Sequence, residues 1–146
     1  MSKGGLMHYF HTKEALLHAL VEDMLKQFDV AVQNQMPNAD EPRSWIRAYI
    51  RTSFEHPADD LDAMTMLNAV LVNPDLLQPV REHYADWQRR LEQGGVSSAQ
   101  ATLVRLALDG LLLTDLFGFA PPAPQTRQAV QALLLSLVGD PDEPSA

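Results

Sequence analysis

Few residues in this chain of 146 have chemistry to offer, and their types narrow the choice at once. There is no cysteine, which excludes thiol catalysis and a disulfide framework and suits a reducing cytoplasm. No Gly-rich phosphate loop follows a strand pattern, and neither Gly-x-Ser-x-Gly nor His-Glu-x-x-His occurs. The acidic pair Asp59-Asp60 falls at the start of an expected helix, where capping accounts for it. His8 and His11 stand three apart across an expected helix end, and His18 lies one turn from Glu14 and from Glu22. Zinc needs three or four converging ligands with a second shell, and these do not supply them. The expectation is therefore no enzyme, no catalytic residue, no metal and no cofactor.

Binding chemistry is better represented. Phe28, Trp45, Tyr49, Met64, Tyr84 and Trp87 come from four segments, and helical periodicity turns all of them inward. Tyr and Trp combine apolar bulk with a polar tip, and Met adapts its shape, so together they suit a site for a small, largely apolar molecule. A packed core is the alternative at each position. Asp109 and Thr114 are candidate polar contacts from the most apolar segment. Asp109 also stands four residues after Arg105, the spacing of a helical ion pair.

The elements that must position these groups are all helical. Thr12 can cap a helix running to about Gln35, with Leu16, Leu17, Leu20, Val21, Met24, Leu25 and Phe28 on one face. At about 1.5 Å per residue it spans roughly 35 Å. A linker follows over Pro37 to Pro42. Pro42 suits a first helical residue, with Trp45, Ile46, Tyr49, Ile50 and Phe54 inward and Arg43, Arg47 and Arg51 stacked on another face. His56-Pro57 ends that helix. A third runs from Asp59 or Asp60 to Asn73-Pro74, with Leu61, Met64, Leu67, Val70 and Leu71 inward. A turn over Pro74 to Leu77 then leads to a helix from about Gln78 to Gln93, with Val80, Tyr84, Trp87 and Leu91 inward and Gly94-Gly95 as its stop. Ser97 or Ser98 caps a helix reaching about Phe119, and a last one covers about Pro124 to Val138. With no strand alternation and no repeat, the fold class is an all-α helical bundle.

Two bulk properties bound the partners. The net charge of -8 argues against a general nucleic-acid binder, so any DNA contact must be local. The most apolar window, Leu103 to Phe119, is interrupted by Arg105, Asp109 and Asp115 and is a poor membrane span. That helix is nonetheless apolar nearly all round, and such a helix must be buried all round. The second half of the last helix has the same surplus. One small domain has difficulty covering both, whereas a second copy would cover them about a two-fold axis.

The most specific sequence signal is Ser2 to Leu17, SKGGLMHYFHTKEALL. It has an N-cap at Ser2, a short run ending in aromatics, a second cap at Thr12, and no acidic side chain from Met1 to Lys13. This stretch resembles the recognition helix and following turn of the TetR family of bacterial transcriptional regulators. The resemblance implies an all-α effector-binding and dimerisation domain over residues 12–138 and a remnant of the helix-turn-helix DNA-binding domain over 1–11; residues 139–146, acidic and Pro-rich, are expected to form a mobile tail. The resemblance also implies that Lys3, Gly5, Leu6 and His8 face the major groove and that Tyr9 and Lys13 touch phosphate, with inward packing the alternative for Leu6 and the expectation for Phe10. In that family two further helices precede the recognition helix. None precedes Met1 in this sequence, so operator binding is expected only if those upstream helices are present.

Pattern and resemblance together imply a homodimer through the last two helices. Leu106, Gly110, Leu113 and Phe117 are expected in the interface from the first, and Val130, Leu134 and Leu137 from the second. The expected function is a cytoplasmic TetR-like regulator, acting as a repressor, whose helical core senses a small molecule. A dimeric helical binding or interaction module with no DNA role is the alternative.

Overall fold

The computed structural model describes residues 12–37, 41, 43–55, 71 and 74–139. The groove-facing and phosphate-facing candidates Lys3, Gly5, Leu6, His8 and Tyr9, the third expected helix with Met64 apart from Leu71, and the acidic tail beyond Gly139 lie outside the described residues; Leu71, expected inward, is 72% exposed. Among the described residues there are five α-helices, one 3-10 turn and no strand. The helices are α1 (Lys13–Asn34), α2 (Ser44–Glu55), α3 (Leu77–Gln93), α4 (Ser98–Phe117) and α5 (Pro124–Leu137), with the 3-10 turn at Pro74–Leu76 preceding α3.

Each boundary has a local cause. Thr12 is extended, and its hydroxyl accepts from the Ala15 amide at 3.0 Å, which fixes the start of α1. α2 starts at Ser44, two residues later than the proline signal suggested, and the Ser44 amide donates to the Glu41 carbonyl at 2.9 Å. Pro79 is the third residue of α3, in the first turn, where amides have no helical partner, so the helix tolerates it. α4 opens with a full capping box. The Ser97 hydroxyl accepts from the Gln100 amide at 3.2 Å, and the Gln100 side chain accepts from the Ser97 amide at 3.0 Å. It stops at Phe117, short of the expected Phe119, because Gly118 takes the left-handed conformation at φ 65°. Pro124 occupies the first turn of α5.

α2 is the centre of the bundle and packs against α1, α3, α4 and α5. Ile46, Ala48, Tyr49, Ile50 and Thr52 are buried on it, so nearly its whole circumference is covered. α1 contributes Val21, Leu25 and Val32, α3 contributes Val80, Trp87 and Leu91, and α4 contributes Ala101, Val104 and Leu108. Polar ties hold the C-terminal helices in place. The Arg127 guanidinium on α5 donates to both oxygens of Asp115 on α4, at 2.9 and 2.7 Å. Arg47 of α2 donates to the Gly139 carbonyl at 2.6 Å, beside the C-terminal end of α5, where a cation is favoured.

The expectation that α4 is covered all round does not hold within one chain. Ala101, Val104, Leu108 and Leu111 are buried, but Leu103, Leu106, Leu113 and Phe117 remain 40–55% exposed. The contacts of α4 with α2 and α3 leave these residues about half exposed.

Ser97→Ala should lower folding stability by about 1 kcal/mol through loss of the cap, and Leu134→Ala by roughly 2–5 kcal/mol through the cavity it leaves. Urea unfolding followed by circular dichroism checks both.

Candidate functional site: an aromatic cluster and an outward apolar stripe

Five aromatic rings from three helices meet in the interior. Trp87 of α3 is their hub, with ring centroids 5.2 Å from Phe28 of α1, 6.0 Å from Tyr49 of α2 and 5.1 Å from Tyr84. Trp45 stacks on Tyr49 at 5.1 Å, and Phe28 meets Tyr49 edge-on at 5.6 Å. The Arg90 guanidinium lies 5.6 Å from the Trp45 ring, within cation–π range. Tyr49 and Trp87 are buried, while Phe28, Trp45 and Tyr84 are partly so. Helical spacing had turned each of these five residues inward, and the chain brings them together.

Two carboxylates border the rings. Asp29 accepts from the Trp87 indole N–H at 2.7 Å. Asp109 of α4 pairs with Arg105 at 2.9 Å, the helical pair its spacing suggested, and its charge acts on the Tyr84 phenol. Arg105 also donates through Nε to Gln88 at 2.7 Å, so the polar edge links α3 to α4. Burial pushes the Asp109 carboxyl above the usual carboxylate range, against the opposing Arg105 charge and hydrogen bond. Burial, then the Asp109 charge, push the Tyr84 phenol up to about 12. Tyr49 is driven well above the usual tyrosine range, first by burial and then by the neighbouring Tyr84 and Asp109.

Thr114 stands apart from these contacts: its hydroxyl donates to the Leu111 carbonyl of its own helix at 2.8 Å. Lys13 is the first residue of α1 and is exposed. Asp29 and His83 were not singled out from the sequence. The signal was present, since Asp29 lies four residues after Leu25 and three before Val32, on the buried stripe of α1. A carboxylate there requires partners, and Trp87 and His83 provide them.

On its other side α4 carries the outward stripe. Leu106 is 55% exposed, Leu113 49% and Phe117 40%, and a methyl group built on Gly110 would meet nothing within 4 Å. With Leu103, these residues alternate at spacings of three and four, forming a continuous apolar seam. On α5, Leu134 is only 6% exposed, and Val130 and Leu137 are partly buried against the chain's own core, on the side facing α2. Leu133, 67% exposed, is the outward apolar residue of α5.

In the folded protein the Tyr84 phenol should titrate near 12, and Asp109→Asn should move that midpoint down toward the ordinary value of about 10 while burial keeps it above. The sign for stability follows. A phenol whose folded value is raised contributes stability that is complete below pH of about 10 and is lost as pH rises toward 12. Phenolate absorbance against pH, in the parent and the variant, checks both.

Among the described residues no helix is long and apolar enough to cross a membrane. No curated protein and no solved structure matches the chain significantly. Residues 43–139 match the family described as tetracyclin repressor-like, C-terminal domain, a span that contains α2 to α5, the hub Trp87 and the apolar seam of α4. Most of the chain is covered by that match, which agrees with the all-α fold: the protein belongs to the TetR family of regulators.

Proposed function

We propose that this TetR-family protein is a homodimeric, cytoplasmic transcriptional repressor whose aromatic cluster senses a small, largely apolar molecule. The observation that carries the reading is that α4 serves both features. Asp109 on one side joins the cluster through Tyr84, and Leu106, Gly110 and Leu113 on the other form the uncovered seam. Two copies apposed along that seam, with Leu133 and the Phe117–Phe119 stack at its margins, form a four-helix contact.

In this mechanism the ligand is taken up among Phe28, Tyr49, Tyr84 and Trp87, with Asp109 as the polar contact. Parting those rings shifts α1 against α3 and α4. α1 leads back to residues 1–11, so its tilt sets the separation of the two reading heads. A dimer reading successive major grooves needs half-sites about 34–36 Å apart. Repression is relieved because the ligand favours the arrangement that does not fit the operator. Lys3, Gly5, Leu6 and His8 face the groove and Tyr9 and Lys13 meet phosphate when the two upstream helices of the helix-turn-helix support them.

The test is titration of labelled DNA from upstream of the gene with protein carrying the complete helix-turn-helix. Specific, salt-sensitive binding is expected, and Leu106→Glu together with Leu113→Glu should weaken it at least tenfold by separating the two heads. Ligand binding with no DNA shift would replace this reading with that of a sensing module that has no DNA role.

A further inference from the structure

Asp29 lies before the matched residues 43–139, yet it ties α1 to the centre of the aromatic cluster. Trp87 has one polar atom, the indole N–H, which can only donate. It donates to Asp29 Oδ1 at 2.7 Å, joining positions 58 residues apart in the chain. The second carboxylate oxygen also faces α3: His83 Nε2 stands 3.8 Å from Asp29 Oδ2, while His83 Nδ1 lies 3.1 Å from the Pro79 carbonyl. The His83 ring meets Trp87 edge-on at 6.0 Å. Both oxygens of one half-buried carboxylate on α1 are therefore directed at α3, at the ring that touches Phe28, Tyr49 and Tyr84.

We propose that Asp29 is the positioning residue through which the aromatic cluster sets the seat of α1, with the Trp87 indole as the moving part. This rests on the reading of the cluster as the sensing site and names its output contact. Apolar ring contacts tolerate sliding, but a hydrogen bond to a carboxylate is directional and weakens steeply when its angle closes. A molecule that parts Phe28, Tyr49 and Tyr84 must tilt the Trp87 ring. The tilt then pulls α1 with it or breaks the bond and releases the C-terminal half of that helix. The free-energy difference between the bonded and released states is the coupling between site and helix.

The test needs no ligand, so its outcome is separate from whether the cluster binds one. Backbone amide exchange is followed over Lys26–Gln33 of α1, with the buried part of α4 reporting global opening. Asp29→Leu and Trp87→Phe should each speed exchange over Lys26–Gln33 roughly tenfold, as expected for loss of a hydrogen bond to a charged group, beyond any change in α4. The double variant should be no faster than either single, and Asp29→Asn, which keeps an acceptor, should stay near the parent. Transmission is tested by Tyr84→Ala, which disturbs the cluster at Trp87. It should speed exchange over the same α1 residues in the Asp29 protein, and that increment should vanish in the Asp29→Leu background. An equal increment in both backgrounds, or α1 and α4 accelerating together in every variant, would overturn the proposal.

Discussion

The constraint on which the rest depends is that α4 is apolar on opposite sides, one of them buried and the other left about half exposed. Its inner side, Ala101, Val104, Leu108 and Leu111, closes the core around α2. Its outer side, Leu103, Leu106, Leu113 and Phe117, stays 40–55% exposed. At about 25 cal/mol per Å² of apolar surface removed from water, a seam of that kind favours association strongly. Gly110 in the middle of it leaves room for another backbone to come close. Charge follows the same division. Arg105 and Asp109 neutralise each other beside the cluster, and Asp115 is held by Arg127, so no side chain of α4 carries an unpaired charge.

The interior serves a different requirement. Five rings packed with centroids 5.1–6.0 Å apart make a cluster whose members can slide or tilt at small cost, compared with branched aliphatic side chains locked by their rotamers. Two polar couplings border it. Tyr84 is coupled electrostatically to Asp109 on α4, and Trp87 is held by a hydrogen bond to Asp29 on α1. The cluster thus touches the helix that carries the seam and the helix that leads to the N-terminal stretch.

Much of this was legible in the sequence because it rests on local signals. Thr12, Ser97 and Pro124 start helices where their cap or ring geometry requires, and Leu91 and Trp87 fall on the buried face that periodicity gives α3. The family resemblance was drawn from Ser2 to Leu17, whereas the family match lies in residues 43–139, so the two bear on different parts of the chain. The orientation of α5 was not legible. Val130, Leu133, Leu134 and Leu137 are all apolar, and only the position of α2 decides that Leu134 turns in and Leu133 out. Asp29 was missed for a related reason. A carboxylate on a helix is ordinarily solvated, and its role depends on Trp87, 58 residues further along.

The most direct measurement of the central claim is sedimentation equilibrium of the protein at micromolar concentration. A dimer that becomes monomeric on Leu106→Glu and Leu113→Glu, with helicity retained, is the predicted result. A parent protein that sediments as a monomer would contradict the account, because the outer side of α4 would then be left in water without a partner.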